Sequence, residues 1–486
     1  MSTAAVVIGA GVNELVAAHL LSRSGRRVLV LDPRPGSQKS LESGWVPPRV
    51  VSDLALDARN LKIHRPDPWA EAPLPQGGRL QLWQDMSRSV EALRKISPRD
   101  AQHWPAFCER MRRLARLLEE IYAKAPPDPV SGRLRDIAQL AALGWRARRL
   151  GRQGLEALLR LLPMSAADFL DDWFENDALK GVLGALAVMH QCHGPRSGGT
   201  AFLLLHHHAG SPAGVFSPPL SNLRSVLEKA PGLEIRRAIE VARITVREGS
   251  VTGVALASGE EIATALVVSG LDPRRTLLSL ADPGWLDPEV ARAVRHIRAR
   301  GVVARVNVTT EAAPGFTSLV VAPSLDYVER AYDDAKYGRI SREPRLLASS
   351  SPAMEGPLHR VDIHVQYAPY ALRDGAWDER TREALGRKAL DILSQHAPAL
   401  GAARIESVLS PRDLEQSEGW PEGQAYHAEL ALDQVLWMRP IPQLARYRTP
   451  VKGLYLCGPS MHPGAGIAGA AGFNCAREIM SAGHNA

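Results

Sequence analysis

Gly9 and Gly11 stand between a short apolar run and a stretch of helical spacing, the context in which glycines receive a dinucleotide. Gly9 permits a tight turn, and Gly11 lets the backbone approach a pyrophosphate held at a helix N-terminus. Asp32, 21 residues after Gly11, closes the next apolar run, where an acid accepts hydrogen bonds from an adenosine ribose. Glu14 occupies the position of a third glycine. A carboxylate there puts negative charge at the helix end that should attract phosphate. Its effect is mild if the side chain points outward and competitive if it points inward.

A second set lies near the other terminus, in LYLCGPSMHPGAGIAGAAGFNCAREI, residues 454–479. An apolar run delivers Cys457-Gly458; Gly464, Gly466, Gly469 and Gly472 then bracket the start of a helix. Such glycine density bares amides that can bind a flavin's pyrimidine end, where negative charge develops on reduction. Close helix packing accounts for Gly469 and Gly472 but not for the loop Pro463-Gly464-Ala465-Gly466. His190, Cys192 and His193, with His206, His207 and His208, offer further chemistry. Adjacent histidines on one element point different ways and no spacing completes a ligand set, so no metal is assigned. They read as lining a helical region near a substrate cleft, one of them suited to moving a proton. Asp171 and Asp172 read as a solvated helix face. No nucleophile elbow, P-loop or kinase signature is present.

These residues need elements to hold them. Ala4 to Ile8 reads as a buried strand, Asn13 to Ser24 as a helix closed by Gly25, and Val28 to Leu31 as a second strand stopped by Pro33 and Pro35. That grammar implies a parallel sheet. Pro66, Pro68, Pro73 and Pro75 suggest a stiff connection before a Gly77-Gly78 turn. Residues 98–228 read as mainly helical. Within them, 133–160 forms a basic amphipathic helix: Leu134, Ile137, Ala138, Ala141 and Trp145 share one face, and Arg146, Arg148, Arg149 and Arg152 cluster behind. Such a helix suits a membrane surface, and a lid with a solvated arginine face is the plainer reading. Residues 233–270 hold a meander with hairpin signals at Glu248-Gly249 and Ser258-Gly259. Antiparallel strands follow at 300–368, an amphipathic helix at 378–398, and a buried strand at 454–458.

The 486 residues exceed one ordinary core, and 45% hydrophobic with 23% charged residues is a soluble globular balance. A net charge of +7 without any basic run argues against nucleic acid and suits anionic lipid or acidic ligands. Four cysteines without a CxxC pair fit a reducing compartment. A strand beginning by Ala4 leaves no room for a signal peptide, and no apolar stretch spans a bilayer, so a cytoplasmic protein with peripheral membrane contact is expected.

VVIGAGVNELVAAHLL and GLYLCGPSMHPGAGIAGAAGFNCA resemble the phytoene-desaturase-like FAD-dependent oxidoreductases. The branch most similar is that of the pyridine-nucleotide-disulfide-oxidoreductase-domain proteins of the second type. ISPRDAQHWPAF, MSAADFLDDWFENDALKG and HAELALDQVLWMRP extend the resemblance over nearly the whole chain. It implies an α/β fold: a Rossmann-like FAD-binding domain of glutathione-reductase-2 type interleaved with an α+β substrate domain. The FAD-binding parts fall at 1–78, 229–280 and 441–486, a helical substrate or lid region at 79–228, and the substrate sheet and helix at 281–440. The resemblance also implies that Gly9 and Gly11 meet the FAD pyrophosphate and Asp32 the ribose. Val241 would touch the adenine through its backbone, and Gly458, Gly464, Gly466 and Ile467 would line the flavin end. Members desaturate, isomerise or saturate long apolar molecules. The expected function is thus FAD-dependent dehydrogenation of an apolar, polyene or isoprenoid-like substrate by hydride transfer to flavin, with no catalytic side chain assigned. Three departures sit at cofactor-facing elements: Glu14, the stretch PRPGSQKSLESGWVPPRV with Gly36 in place of a glycine pair, and SPPLSNLRSVLE at 217–228. They imply FAD held weakly or lost. The alternatives are a non-catalytic subunit of a complex with an intact paralogue, or a non-redox isomerase.

Overall fold

The structure is a computed structural model that describes residues 5–36, 41–128, 131–352 and 358–483. Its first sheet is gathered from distant parts of the chain. Ala5–Ile8 is buried at every position, and such a run is stable only between two other strands. It pairs in parallel with Val28–Asp32 and Val267–Ser269. Glu234–Arg237 and Leu454–Leu456 complete a five-stranded parallel sheet. The crossover helix Val12–Arg23 is buried from Glu14 to Leu21 and is followed by Gly25 at a φ of 88°. It packs on the terminal helix Ala470–Gly483, where a methyl on Gly472 would overlap the carbonyl oxygen of Asn13. That contact brings the two glycine-rich helix starts together.

Val241–Arg247, Ser250–Leu256 and Glu261–Ala263 form the antiparallel meander. Its first turn carries Glu248 and Gly249 at φ of 48° and 71°, as a tight hairpin requires. A larger, mostly antiparallel sheet follows the order Arg404–Leu409, Val303–Thr310, His359–Gln366, Arg345–Pro352, Ser318–Val321, Ala70–Pro73, Arg79–Leu82. This sheet therefore takes its first strand from Ala70, ahead of the boundary expected at 78, and the proline-rich stretch is not only a connection. Pro73 ends its strand, and pairing with Ser318–Val321 is confined to Glu71 and Leu319, so no ladder bond is lost.

The helices Pro98–Tyr122, Asp177–Ala187 and Thr200–His208 enclose an apolar cluster with Trp69, Trp104, Phe107 and Phe216 at its centre. The basic stretch read as one helix is two, Leu134–Arg149 and Gly151–Leu161, broken at Gly151 with a φ of 74°. Among the described residues no helix is long and apolar enough to cross a membrane.

Candidate functional site

Gly9 has a φ of 99°, which strains any other residue, and Gly11 is the N-cap of the first helix. Together with Gly270, at the end of the neighbouring strand, they make a concave surface without side chains. Glu14 fills it. A methyl built on Gly11 would lie 2.5 Å from Glu14 Oε2, one on Gly9 3.4 Å from Glu14 Cγ, and one on Gly270 would overlap the Glu14 carboxyl. The carboxyl thus rests where bare amides and a helix dipole favour negative charge. Burial pushes it up to about 7, against the pull of its own backbone N–H, Arg34 and Arg224. The question left by the sequence is answered: Glu14 points inward.

Asp32, completely buried, has both carboxylate oxygens engaged. Arg34 Nε lies 3.0 Å from Oδ1, and Arg237 and Arg224 approach Oδ2 at 3.3 and 3.8 Å. Arg224 and Arg237 also hold Glu228, at 3.1 and 3.2 Å. Arg224 lies in the 217–228 stretch that lacks the glycine pair, on the helix Leu223–Lys229. Asp32, expected at a ribose, is thereby the centre of an ion network. Val241 is buried, its backbone in register with Leu256 of the meander.

At the other end, Gly464 and Gly466 take φ of 106° and 88°. Trp45 N–H donates to the Gly466 carbonyl at 2.9 Å, and the Ala468 N–H donates to the Trp45 carbonyl at 2.7 Å. Ile467, buried, lies opposite Trp45 in this bridge. The Trp45 ring covers Gly210, where any side chain would collide with it. Residues 37–40 of the stretch after Asp32 lie outside the described residues. His206 donates from Nε2 to the Ala465 carbonyl at 2.8 Å and accepts at Nδ1 from Tyr122 Oη at 2.7 Å, which fixes one neutral tautomer. Burial pulls it down to about 4. Gly458 belongs to packing: a methyl there would overlap the Gly270 carbonyl. Beneath Gly464 runs the buried Arg439, donating to six carbonyls, those of Tyr426, Ala428, Glu429, Gln434, Pro459 and Met461. Among the described residues no group of three or more His, Cys, Asp or Glu side chains is arranged to hold a metal ion.

A five-stranded parallel sheet gathered from separate parts of the chain, beside a larger and mostly antiparallel one, is the architecture of the dinucleotide-binding folds. The chain belongs to the flavin-containing amine oxidoreductase family, whose model matches residues 49–480, and is of the FAD-dependent oxidoreductase class. It is 31% identical to pyridine nucleotide-disulfide oxidoreductase domain-containing protein 2 of Rattus norvegicus, over 98% of this chain and 93% of that one. A limonene dehydrogenase subunit of Castellaniella defragrans is 24% identical over 98% and 94% of the two chains. In fold it is similar to a putrescine oxidase with putrescine bound, with a TM-score of 0.60 at 15% identity over 99% of both chains.

The side chains in the cradle do not fit FAD as they stand. A pyrophosphate between Gly9, Gly11 and Gly270 and the Glu14 carboxyl exclude one another, and a ribose at Asp32 would compete with Arg34 and Arg237 for its oxygens. Sequence reasoning singled out Glu14 and Asp32 but missed Trp45, Arg224, Arg237 and Arg439. Arg224 was open to detection, because an arginine in place of the glycine pair supplies a countercharge for Asp32. Trp45 and Arg439 carry no local signal.

Proposed function

We propose that the chain is an oxidoreductase that dehydrogenates a largely apolar substrate and holds FAD weakly, because its own Glu14 closes the dinucleotide cradle. One observation carries the weak binding: the Glu14 carboxyl lies among Gly9, Gly11 and Gly270, where the pyrophosphate belongs. Relatives named for limonene and phytoene support an apolar substrate. The visible spectrum of the purified protein, followed by titration with FAD, tests the reading. A colourless protein that takes up FAD only at high concentration supports it; stoichiometric FAD as purified refutes it.

A second reading has its own support. Asp32 locked by Arg34, Arg224 and Arg237 favours a chain that has lost FAD and serves in a complex with an intact paralogue, and one relative is named as part of a larger dehydrogenase. Failure to bind FAD at any concentration distinguishes it. We further propose peripheral contact with an anionic membrane through 133–160. Leu134, Ile137 and Trp145 are 86%, 53% and 59% exposed, so the apolar face of that helix is not turned to the core. Arg148, Arg149 and Arg152 are exposed beside it.

A further inference from the structure

Arg439 and Arg345 are both among the largest fully buried side chains, and the fold treats them oppositely. Arg439 is surrounded by carbonyl acceptors. Arg345, at the start of the strand Arg345–Pro352, makes one hydrogen bond among the described residues, from Nη1 to Gln366 Oε1 at 3.3 Å. Its Nε and Nη2 are buried without a partner there. Gln366 is itself committed elsewhere: its Oε1 accepts from the His190 N–H at 3.1 Å, and its Nε2 donates to the Val188 carbonyl at 2.6 Å.

The described surroundings offer no countercharge. Burial pulls the guanidinium down to about 10, and the groups that oppose this are the phenols of Tyr367 and Tyr426. Burial keeps the nearby imidazoles neutral, pulling His207 to about 3, His364 to about 4 and His190 well below its ordinary value. Asp362, the carboxylate beside His364, is held by Arg305 at 2.8 Å. At neutral pH a whole positive charge therefore lies in the interior with most of its donors unused, an arrangement proteins avoid unless something pairs with it. His207 Nε2 and His364 Nδ1 are likewise without a partner.

These groups form a continuous series. Ring centroids of His364 and His190 are 5.2 Å apart, His190 and Tyr426 5.3 Å, Tyr426 and His207 6.3 Å, and His207 and His206 5.5 Å. His206 ends the series on the Ala465 carbonyl, within the C-terminal glycine loop.

We propose that Arg345 is the receptor for a carboxylate on the substrate, whose apolar body lies along Tyr426, His190 and His207 toward the loop Gly464–Ile467. A planar fork with two free donor nitrogens, Nε and Nη2, matches a carboxylate, and one positive charge among neutral rings compensates a single negative charge, not a phosphate dianion. The assignment rests on the substrate-oxidising reading above and narrows its substrate to an amphiphilic acid.

The test uses the whole protein without added FAD, so its outcome is independent of whether flavin binds. Thermal unfolding is followed with benzoate and octanoate, against octylamine, octanol and inorganic phosphate. The carboxylates are expected to raise the melting temperature saturably and the others not. Arg345→Met is expected to weaken carboxylate binding roughly tenfold or more and to raise the melting temperature of the free protein, since an uncompensated buried charge is removed. A structural arginine gives the reverse, a less stable variant and no response of the wild type to carboxylates, and that result overturns the proposal. Equal stabilisation by phosphate or octylamine overturns it as well. Should the methionine variant not fold, fluorine NMR of 4-fluorobenzoate with wild type and Arg345→Lys decides, and absence of saturable binding to wild type refutes the site.

Discussion

Replacing Glu14 separates what its volume does from what its proton does. In the closed arrangement burial lifts its carboxyl from 4.5 to about 7, which corresponds to about 3 kcal/mol against the ionised form. A raised carboxyl makes the folded state hold its proton more tightly. The stability it brings is therefore complete below the unfolded value and is lost as pH rises through the folded one. FAD and the closed carboxyl exclude one another sterically, so binding requires Glu14 to leave for solvent, where its ordinary value returns. Ionisation favours leaving, and linkage between the two values makes FAD affinity tighten about tenfold from about pH 6 to about pH 8. Glu14→Gln has no proton to lose and should show no such slope. Glu14→Gly opens the cradle, and should bind FAD more tightly than wild type at every pH and equally without slope. Quenching of FAD fluorescence, titrated at each pH, measures all three proteins. Wild-type affinity that weakens with rising pH, or a glycine variant no tighter than wild type, refutes the reasoning.

Three further outcomes are expected. Gly472→Ala places a methyl on the Asn13 carbonyl and forces the first and terminal helices apart, costing about 1–3 kcal/mol in urea unfolding. Arg439→Met leaves six carbonyls without their donor and should cost more than about 3 kcal/mol or prevent folding, a sign opposite to that at Arg345. Joint replacement of Arg148, Arg149 and Arg152 by Glu should abolish co-sedimentation with vesicles containing phosphatidylserine, while neutral vesicles bind neither protein. Absence of any wild-type binding ends the membrane proposal.

Much of the scaffold was legible because its signals are local. Apolar runs, the residues between Gly11 and Gly25, and the Glu248-Gly249 hairpin each specify their element within a few positions. The direction of Glu14 was not, since a long side chain in a helix's first turn is free to go either way and Gly270, some 256 residues later, supplies the hollow that receives it. The strand Ala70–Pro73 was hidden by prolines, which read as breaks until the neighbouring strand shows that the missing amide was not needed. Arg345 carries no local signal in the sequence. Its isolation comes from contacts near residues 190, 366 and 426, far apart along the chain and joined only by the fold.

The most direct measurement is a crystal structure of the wild-type protein soaked with FAD near pH 6. The Glu14 carboxyl is expected in contact with Gly11 and Gly270, with no pyrophosphate on the first helix. A Glu14 side chain turned to solvent, with phosphate oxygens on the amides beside Gly11, would contradict the closed cradle.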